Sequence, residues 1–380
     1  MLFNNKEKLP VVISSLFLMF ICLLSVSYDN KQINGLFYIS SILYVFHVIK
    51  NRKLNFDSSV LYLIPFLAIN SISMLWSDHA QDLLRTMQHS LYILLFFLII
   101  YQFKAILLHK NLILKLFAIT SAAFVFINGY LFYSHNPAEA RFYAEFGPTN
   151  TIDYAGILCL SVLFSYYLFT EETNRLRKLL YISLGIISLL GVFLSQSRTP
   201  LIGLFIGLFI LSLKNKKHTF TILLSALVAF AAIVQFYPEL LSRDAVDGAP
   251  TPRIFTWIYT LRQVIEHHLL LGFGYNNTFA HYFAPRNITY NNPHSVYMSI
   301  LYYTGFIGAL SFIALVAKLA LDAVSVFIKD KLPFAILVFS LIFCSTQGYL
   351  YIYHPREIWL LLWFPLALIP AMKQSHKVTL

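Results

Sequence analysis

Apolar runs about as long as a bilayer is thick recur along the whole chain. A stretch of about 20 apolar residues crosses the hydrocarbon core as a helix. Twelve can be placed, at 10–28, 33–49, 58–76, 87–103, 112–133, 151–170, 179–195, 199–213, 219–236, 295–317, 332–351 and 358–372. In lipid every backbone polar group must be satisfied within the protein, so such spans are helices. Charged residues make up 12% of the chain, about half of the ~25% usual in soluble domains. The expected fold is an all-α polytopic membrane protein with about 12 transmembrane helices. Lys6 and Lys8 ahead of the first run imitate a secretory leader. No small-residue cleavage site follows and more spans come after, so the run reads as a retained first helix.

Lysines and arginines then separate. Lys6 and Lys8, the group Lys50, Arg52 and Lys53, then Lys104, Lys110 and Lys115, occupy alternate connections. The same alternation continues through Arg175, Arg177 and Lys178, through Lys214, Lys216 and Lys217, through Lys318, Lys329 and Lys331, and to Lys373 and Lys377. By the positive-inside rule these loops and both termini are cytoplasmic. The opposite connections hold Lys31 and eight arginines: Arg85, Arg141, Arg198, Arg243, Arg253, Arg262, Arg286 and Arg356. The rule counts both cations together and does not explain exiled arginines. Arginine stays charged and grips phosphate through two parallel donors, which points to a phosphorylated ligand outside the cytoplasm. Eleven of the 17 acids share that face, so it is no blanket cationic surface. The net charge of +11 is mostly loop lysine, a topology signal, and no nucleic-acid partner is expected.

The chain divides into residues 1–236 with nine helices, an outer loop at 237–294, and residues 295–380 with three more helices and a short tail. Within the loop, residues 254–271 have helical spacing, with Ile254, Trp257, Ile258, Leu261 and Ile265 on one side. That predicts an amphipathic helix lying on the membrane or capping a cavity. One long loop in an otherwise loop-poor chain is the place to seek a site.

Several constellations fall on the outer side. Ser195, Ser197 and Arg198 lie where the seventh and eighth spans meet, and their hydroxyls and guanidinium could hold an anion. Arg253, with Trp257, opens the amphipathic helix beside free backbone N–H groups. Gly272 and Gly274 permit a tight turn, but no strand precedes them and no third glycine follows, so this is no dinucleotide fingerprint. His294 and Ser295 sit at the mouth of the tenth span, and histidine suits proton transfer near neutral pH. Gly305 and Gly308 lie deeper in that span, where they would let another helix pack closely. Arg141 with Gly147 and Asn150, and Trp76 and Ser77 with Arg85, complete the set. Cys22, Cys159 and Cys344 lie apart in apolar runs and read as packing residues. The histidines show no ligand spacing, so neither metal nor cofactor is expected. No G-x-S-x-G elbow supports serine catalysis.

In order and topology these pieces resemble the O-antigen ligase/polymerase superfamily. The shared elements are W-S with an Arg, an Arg with G-x-x-N, S-x-S-R between two helices, and a long loop from Arg and Trp through G-x-G to H-S-x9-G-x-x-G. They cover residues 76–308. Thr151 and Ile152 follow Asn150 where relatives often have Pro-Asn, and Pro293 replaces the commoner Ala before His294. The resemblance implies a bacterial inner-membrane enzyme whose long loop and site face the periplasm. It implies a metal-independent, inverting glycosyltransferase that moves an O-antigen glycan from undecaprenyl diphosphate to lipid A-core, with membrane lipid around it. His294, Arg253 and Arg198 would be catalytic. Arg85, Arg141, Ser195, Ser197, Trp257, Asn150, Gly272, Gly274 and Ser295 would bind the diphosphate and glycan. The histidine–glycine pattern and single dominant loop favour a ligase over an O-antigen polymerase. A transporter of lipid-linked glycan is the competing class, but it should show repeats and mid-membrane charges on broken helices. Neither is legible in the sequence.

Overall fold

A computed structural model of the protein describes residues 5–27, 31–138, 140–224, 227, 252–348 and 350–378. The apolar runs become helices α1 (Asn5–Leu24), α2 (Lys31–Asn51), α3 (Val60–Ser73) and α4 (Leu83–Gln102). A short α5 (Lys104–Leu107) leads to α6 (Leu112–His135), α7 (Thr151–Glu171), α8 (Arg175–Ser195) and α9 (Arg198–Ser212). Residues 216–224 begin the ninth predicted span. Most of the rest of that span, and Arg243, lie outside the described residues. Then come α10 (Pro252–His267), α11 (Val296–Val326), α12 (Leu332–Cys344) and α13 (Phe364–Val378), the last entered through a π-helical turn at Trp359–Trp363. Strands β1 (His281–Phe283) and β2 (Ile288–Tyr290) form an antiparallel hairpin, with Tyr282 opposite Thr289.

The chain is thus a mostly helical, multi-pass membrane protein. Among the described residues six helices are long and apolar enough to cross a bilayer, and four shorter ones are apolar over 10–17 residues. The last span is the axis of the bundle. Trp359 and Trp363 are fully buried: Phe20, Phe37 and Phe96 ring the first, and Phe66 and Phe97 pack on the second. Such aromatic contacts contribute about 0.5–1.5 kcal/mol each beyond area burial.

Charge is sorted between the two ends of the bundle. At one end Lys318 reaches Asp57 at 3.8 Å and pairs with Asp322, which Lys373 also contacts. These ties join the approach to α3 with α11 and α13. Asp322 is 3% exposed. Asp322→Ala leaves two half-buried lysines without their shared partner, a loss of about 3–5 kcal/mol. The expected result is a clear fall in apparent Tm in detergent, read by a thermal-shift assay. An unchanged Tm would remove this network as a structural tie.

Two helices depart from the sequence expectation at the opposite, arginine-bearing end. The predicted span 332–351 stops as a helix at Cys344. Beyond it the Gln347 carbonyl accepts from Val296 N–H at 3.1 Å, so the backbone is captured by the start of α11. The other departure is inside α11, which kinks at Gly305 (φ 61°). Gly305 therefore does not serve as a small-residue seat for another helix. The turn segment 269–274 inserts there: Phe273 and Gly274 N–H donate to the Tyr302 and Tyr303 carbonyls (2.8 and 2.9 Å), and Phe306 and Ile307 N–H donate to the Leu269 and Leu270 carbonyls (3.0 and 3.2 Å).

Candidate active site

Four helix N-termini meet the loops of the arginine end: those of α7, α9, α10 and α11. Helix N-termini present free N–H groups and partial positive charge. Asn150 caps α7, its side-chain oxygen accepting from Ile152 N–H at 2.8 Å. Ser295 caps α11 by accepting from Met298 N–H. Arg198 is the first residue of α9, after Gln196 turns the chain with φ 51°. Arg253 occupies the first turn of α10.

Arg141 is fixed by the turn between α8 and α9. Its Nε donates to the Ser195 carbonyl at 3.2 Å and its Nη2 to Ser197 Oγ at 3.4 Å. Ser197 Oγ donates in turn to the Thr151 carbonyl at 3.2 Å. Ser195 Oγ donates to the Val192 carbonyl at 2.6 Å. Both serines are buried, and both hydroxyls are already committed inside the protein. The S-x-S-R turn here is a mount for Arg141, presented beside the first turn of α7.

His294 stands in an unusual backbone. Its φ is 51°, uncommon for a residue with a side chain, and its N–H donates to Asn292 Oδ1 at 3.0 Å. The ring meets Tyr290 edge-on, with centroids 5.5 Å apart. Burial, with the nearby Arg253 guanidinium adding to it, pushes the imidazole down to about 4. It is therefore neutral at physiological pH, with one ring nitrogen that carries no proton. Across α10, Thr256 Oγ1 lies 3.2 Å from His281 Nδ1, and Tyr259 stacks on His281 at 4.5 Å. Trp257 Nε1 is buried with no hydrogen-bond partner among the described residues.

The two groups join through short contacts. Gln347 accepts from Val296, two residues after His294, and its side-chain Nε2 donates to Asp153 Oδ1 at 3.4 Å. Asp153 lies in the same first turn of α7 as Thr151, which accepts from Ser197. Arg141, Ser197, Asp153, Gln347, His294 and Arg253 thus surround one region. Ser77 sits under the G-x-G turn: a Cβ on Gly274 would come within 2.7 Å of Ser77 Cα, and Tyr275 N–H donates to Ser73 Oγ at 3.0 Å. Trp76 is 39% exposed beside it. Arg85 stays apart, exposed and 3.9 Å from Asp82. Among the described residues no three metal-ligating side chains gather.

Sequence reasoning missed Asp153, Gln347 and Glu357, and gave Arg356 no role beyond its place among the outer arginines. Segment 350–358 folds back over this region. It is pinned where Tyr275 Oη donates to the Ile352 carbonyl (2.5 Å), Trp359 Nε1 to the Tyr353 carbonyl (3.0 Å) and Trp363 Nε1 to the Tyr351 carbonyl (2.7 Å). The available signal was a lone P-R-E triplet between two apolar runs.

Fold and site together define a membrane protein with an arginine- and histidine-bearing pocket region at one end of its bundle. Residues 183–313 match the family model described as O-antigen ligase. The chain is also 28% identical over 370 residues to an O-antigen ligase of Pseudomonas aeruginosa, covering 90% of this chain and 86% of the relative. Both comparisons thus find the chain similar to O-antigen ligases.

Proposed function

We propose that this chain transfers a glycan from undecaprenyl diphosphate to lipid A-core, with the arginine end facing the periplasm and both termini in the cytoplasm. The observation that carries this reading is the meeting of His294, just before the first turn of α11, with Arg253 near it and with the Arg141-bearing turn linked to it through Gln347 and Asp153. Breaking the C1–O bond of the donor sugar builds negative charge on the departing diphosphate. Fixed cations and helix N-termini aimed at that charge stabilise the transition state without a metal. Arg253 and Arg198 take this role, and Arg141 supports it. His294 takes the proton from the acceptor hydroxyl as it attacks C1, which inverts that centre. A bound diphosphate supplies the opposite charge that Arg253 alone does not, so it raises the basicity of His294 when a base is needed. An apolar groove of about 430 Å³ between α3 and α4, lined by Leu67, Leu83, Met87 and Leu94, supports a prenyl-linked donor.

The test is purified protein in detergent with lipid-linked donor and lipid A-core. Product without any membrane compartment is expected, and its absence would favour a transporter. Lipopolysaccharide from a deletion strain should carry no O-antigen. A core bearing a single repeat would mean a polymerase instead. Arg253→Lys keeps the charge but loses the two-pronged grip. It should retain only a small fraction of wild-type transfer, and full activity would show that a point charge suffices.

A further inference from the structure

Between α7 and the segment 347–358 lies a polar cleft of about 130 Å³, bordered by Asn150, Asp153, Gln347, Arg356 and Glu357. We propose that it is a saccharide subsite, in which the Glu357 carboxylate accepts hydrogen bonds from ring hydroxyls of a sugar. Arg356 holds one oxygen of Glu357, with Nε at 2.7 Å and Nη2 at 2.5 Å from Oε1. The other oxygen, Oε2, is buried without a hydrogen-bond partner among the described residues, and Glu357 is only 8% exposed. A buried carboxylate oxygen left unsatisfied is costly, and one lining a cleft calls for a donor from a ligand.

Charge sets the class of that ligand. Two carboxyl groups, Asp153 and Glu357, share the cleft with one guanidinium, Arg356, which Glu357 already pairs. The cleft therefore has no surplus cation to hold a phosphate. It suits a group rich in O–H or N–H donors, such as a neutral or amine-bearing sugar. A water occupies roughly 30 Å³ in the liquid, so the cleft has room for one edge of a sugar ring. Its floor is stiff: Gln347 is tied to Asp153 and Val296, and the π-helical turn starts two residues after Glu357. Its position is also apt. Gln347 leads to His294 on one side, and the first turn of α7 leads to Ser197 and Arg141 on the other. The subsite rests on the glycosyl-transfer reading, and its sugar belongs either to the acceptor core or to the donor glycan.

Glu357→Gln keeps the shape and replaces the unsatisfied charge by a neutral amide. Loss of a charge-assisted hydrogen bond should raise KM for one substrate roughly ten- to hundredfold, with kcat little changed and apparent Tm not lowered. A rise confined to lipid A-core assigns the sugar to the acceptor, and a rise confined to the lipid-linked donor assigns it to the glycan. Unchanged KM for both, with wild-type protein turning over, overturns the subsite while leaving the transferase intact. If wild-type protein does not turn over, the transferase reading fails. The subsite is then decided by soluble core oligosaccharide and soluble repeat-unit oligosaccharide, each freed of lipid. At least one should raise the apparent Tm of wild-type protein and not that of Glu357→Gln, and no stabilisation by either overturns it. Asp153→Asn carries the same expectations should Glu357→Gln fail to accumulate.

Discussion

Gly305→Val should leave little or no folded protein in the membrane. The position has φ 61°, a conformation that costs a residue with a side chain about 1–3 kcal/mol. Sterics add to this: a Cβ there would come within 2.5 Å of the Leu270 carbonyl carbon and 2.6 Å of Gly272 N. Both obstacles are backbone. They are held by the four hydrogen bonds that join segment 269–274 to the kink in α11. Gly272, itself at φ 66°, cannot retreat, because its own missing Cβ faces Gly305 N at 2.5 Å. Relief requires breaking that ladder, at roughly 1 kcal/mol net per hydrogen bond. The sum approaches the whole stability of a typical domain, about 5–15 kcal/mol. Gly129→Ala is the control, since nothing lies within 4 Å of its Cβ position in the middle of α6. It should accumulate at wild-type level. Membrane abundance and the size-exclusion profile in detergent read both variants. A monodisperse Gly305→Val protein at normal abundance would show that the inserted segment is not structurally required.

That contact explains why part of the fold was legible in the sequence and part was not. Hydropathy finds spans because lipid forces the backbone into helices, and the runs from 10–28 to 199–213 all became helices. It fails where apolar residues leave the helix but stay buried. Leu350 and Tyr351 closed the predicted span 332–351, yet they belong to the fold-back segment over the site. In α10 the residues Ile254, Ile258, Leu261 and Ile265 of the predicted stripe lie on one exposed side, the arrangement of a helix lying on a membrane, and Trp257 is half-buried. The buried side carries Thr256, Thr260 and Val264. In a soluble protein the apolar stripe marks the core, whereas beside a bilayer it can face lipid while hydroxyl-bearing residues pack inward. The site was legible as a set of motif residues, because arginine and histidine are conspicuous on an outer face. The acidic cleft was not, because Asp153 opens an apolar helix and Arg356 with Glu357 matches no recurring pattern. Only the tertiary contacts of Gln347 bring them to His294.

His294→Ala is expected to lower kcat/KM by about 10²–10³ at neutral pH, the usual contribution of a positioned general base, while the protein still accumulates. Lipopolysaccharide should then lack O-antigen. The pH dependence separates a proton acceptor from a residue that merely shapes the pocket. The neutral imidazole is the active form, and burial together with Arg253 pushes its titration down to about 4. Transfer by wild-type enzyme should therefore be flat through neutral pH and be lost only as pH falls through the region of 4, in kcat/KM, which reports the free enzyme. Arg253→Gln removes a cation that disfavours the imidazolium. Protonation becomes easier, so the acid limb must move to higher pH. Burial, the larger cause, persists, so the limb should stay below the ordinary histidine range near 6.5. His294→Ala should abolish that limb in whatever activity remains. An acid limb that stays in place in Arg253→Gln, or survives in His294→Ala, would assign the proton transfer to another group, with the Asp153 and Glu357 carboxylates the next to replace.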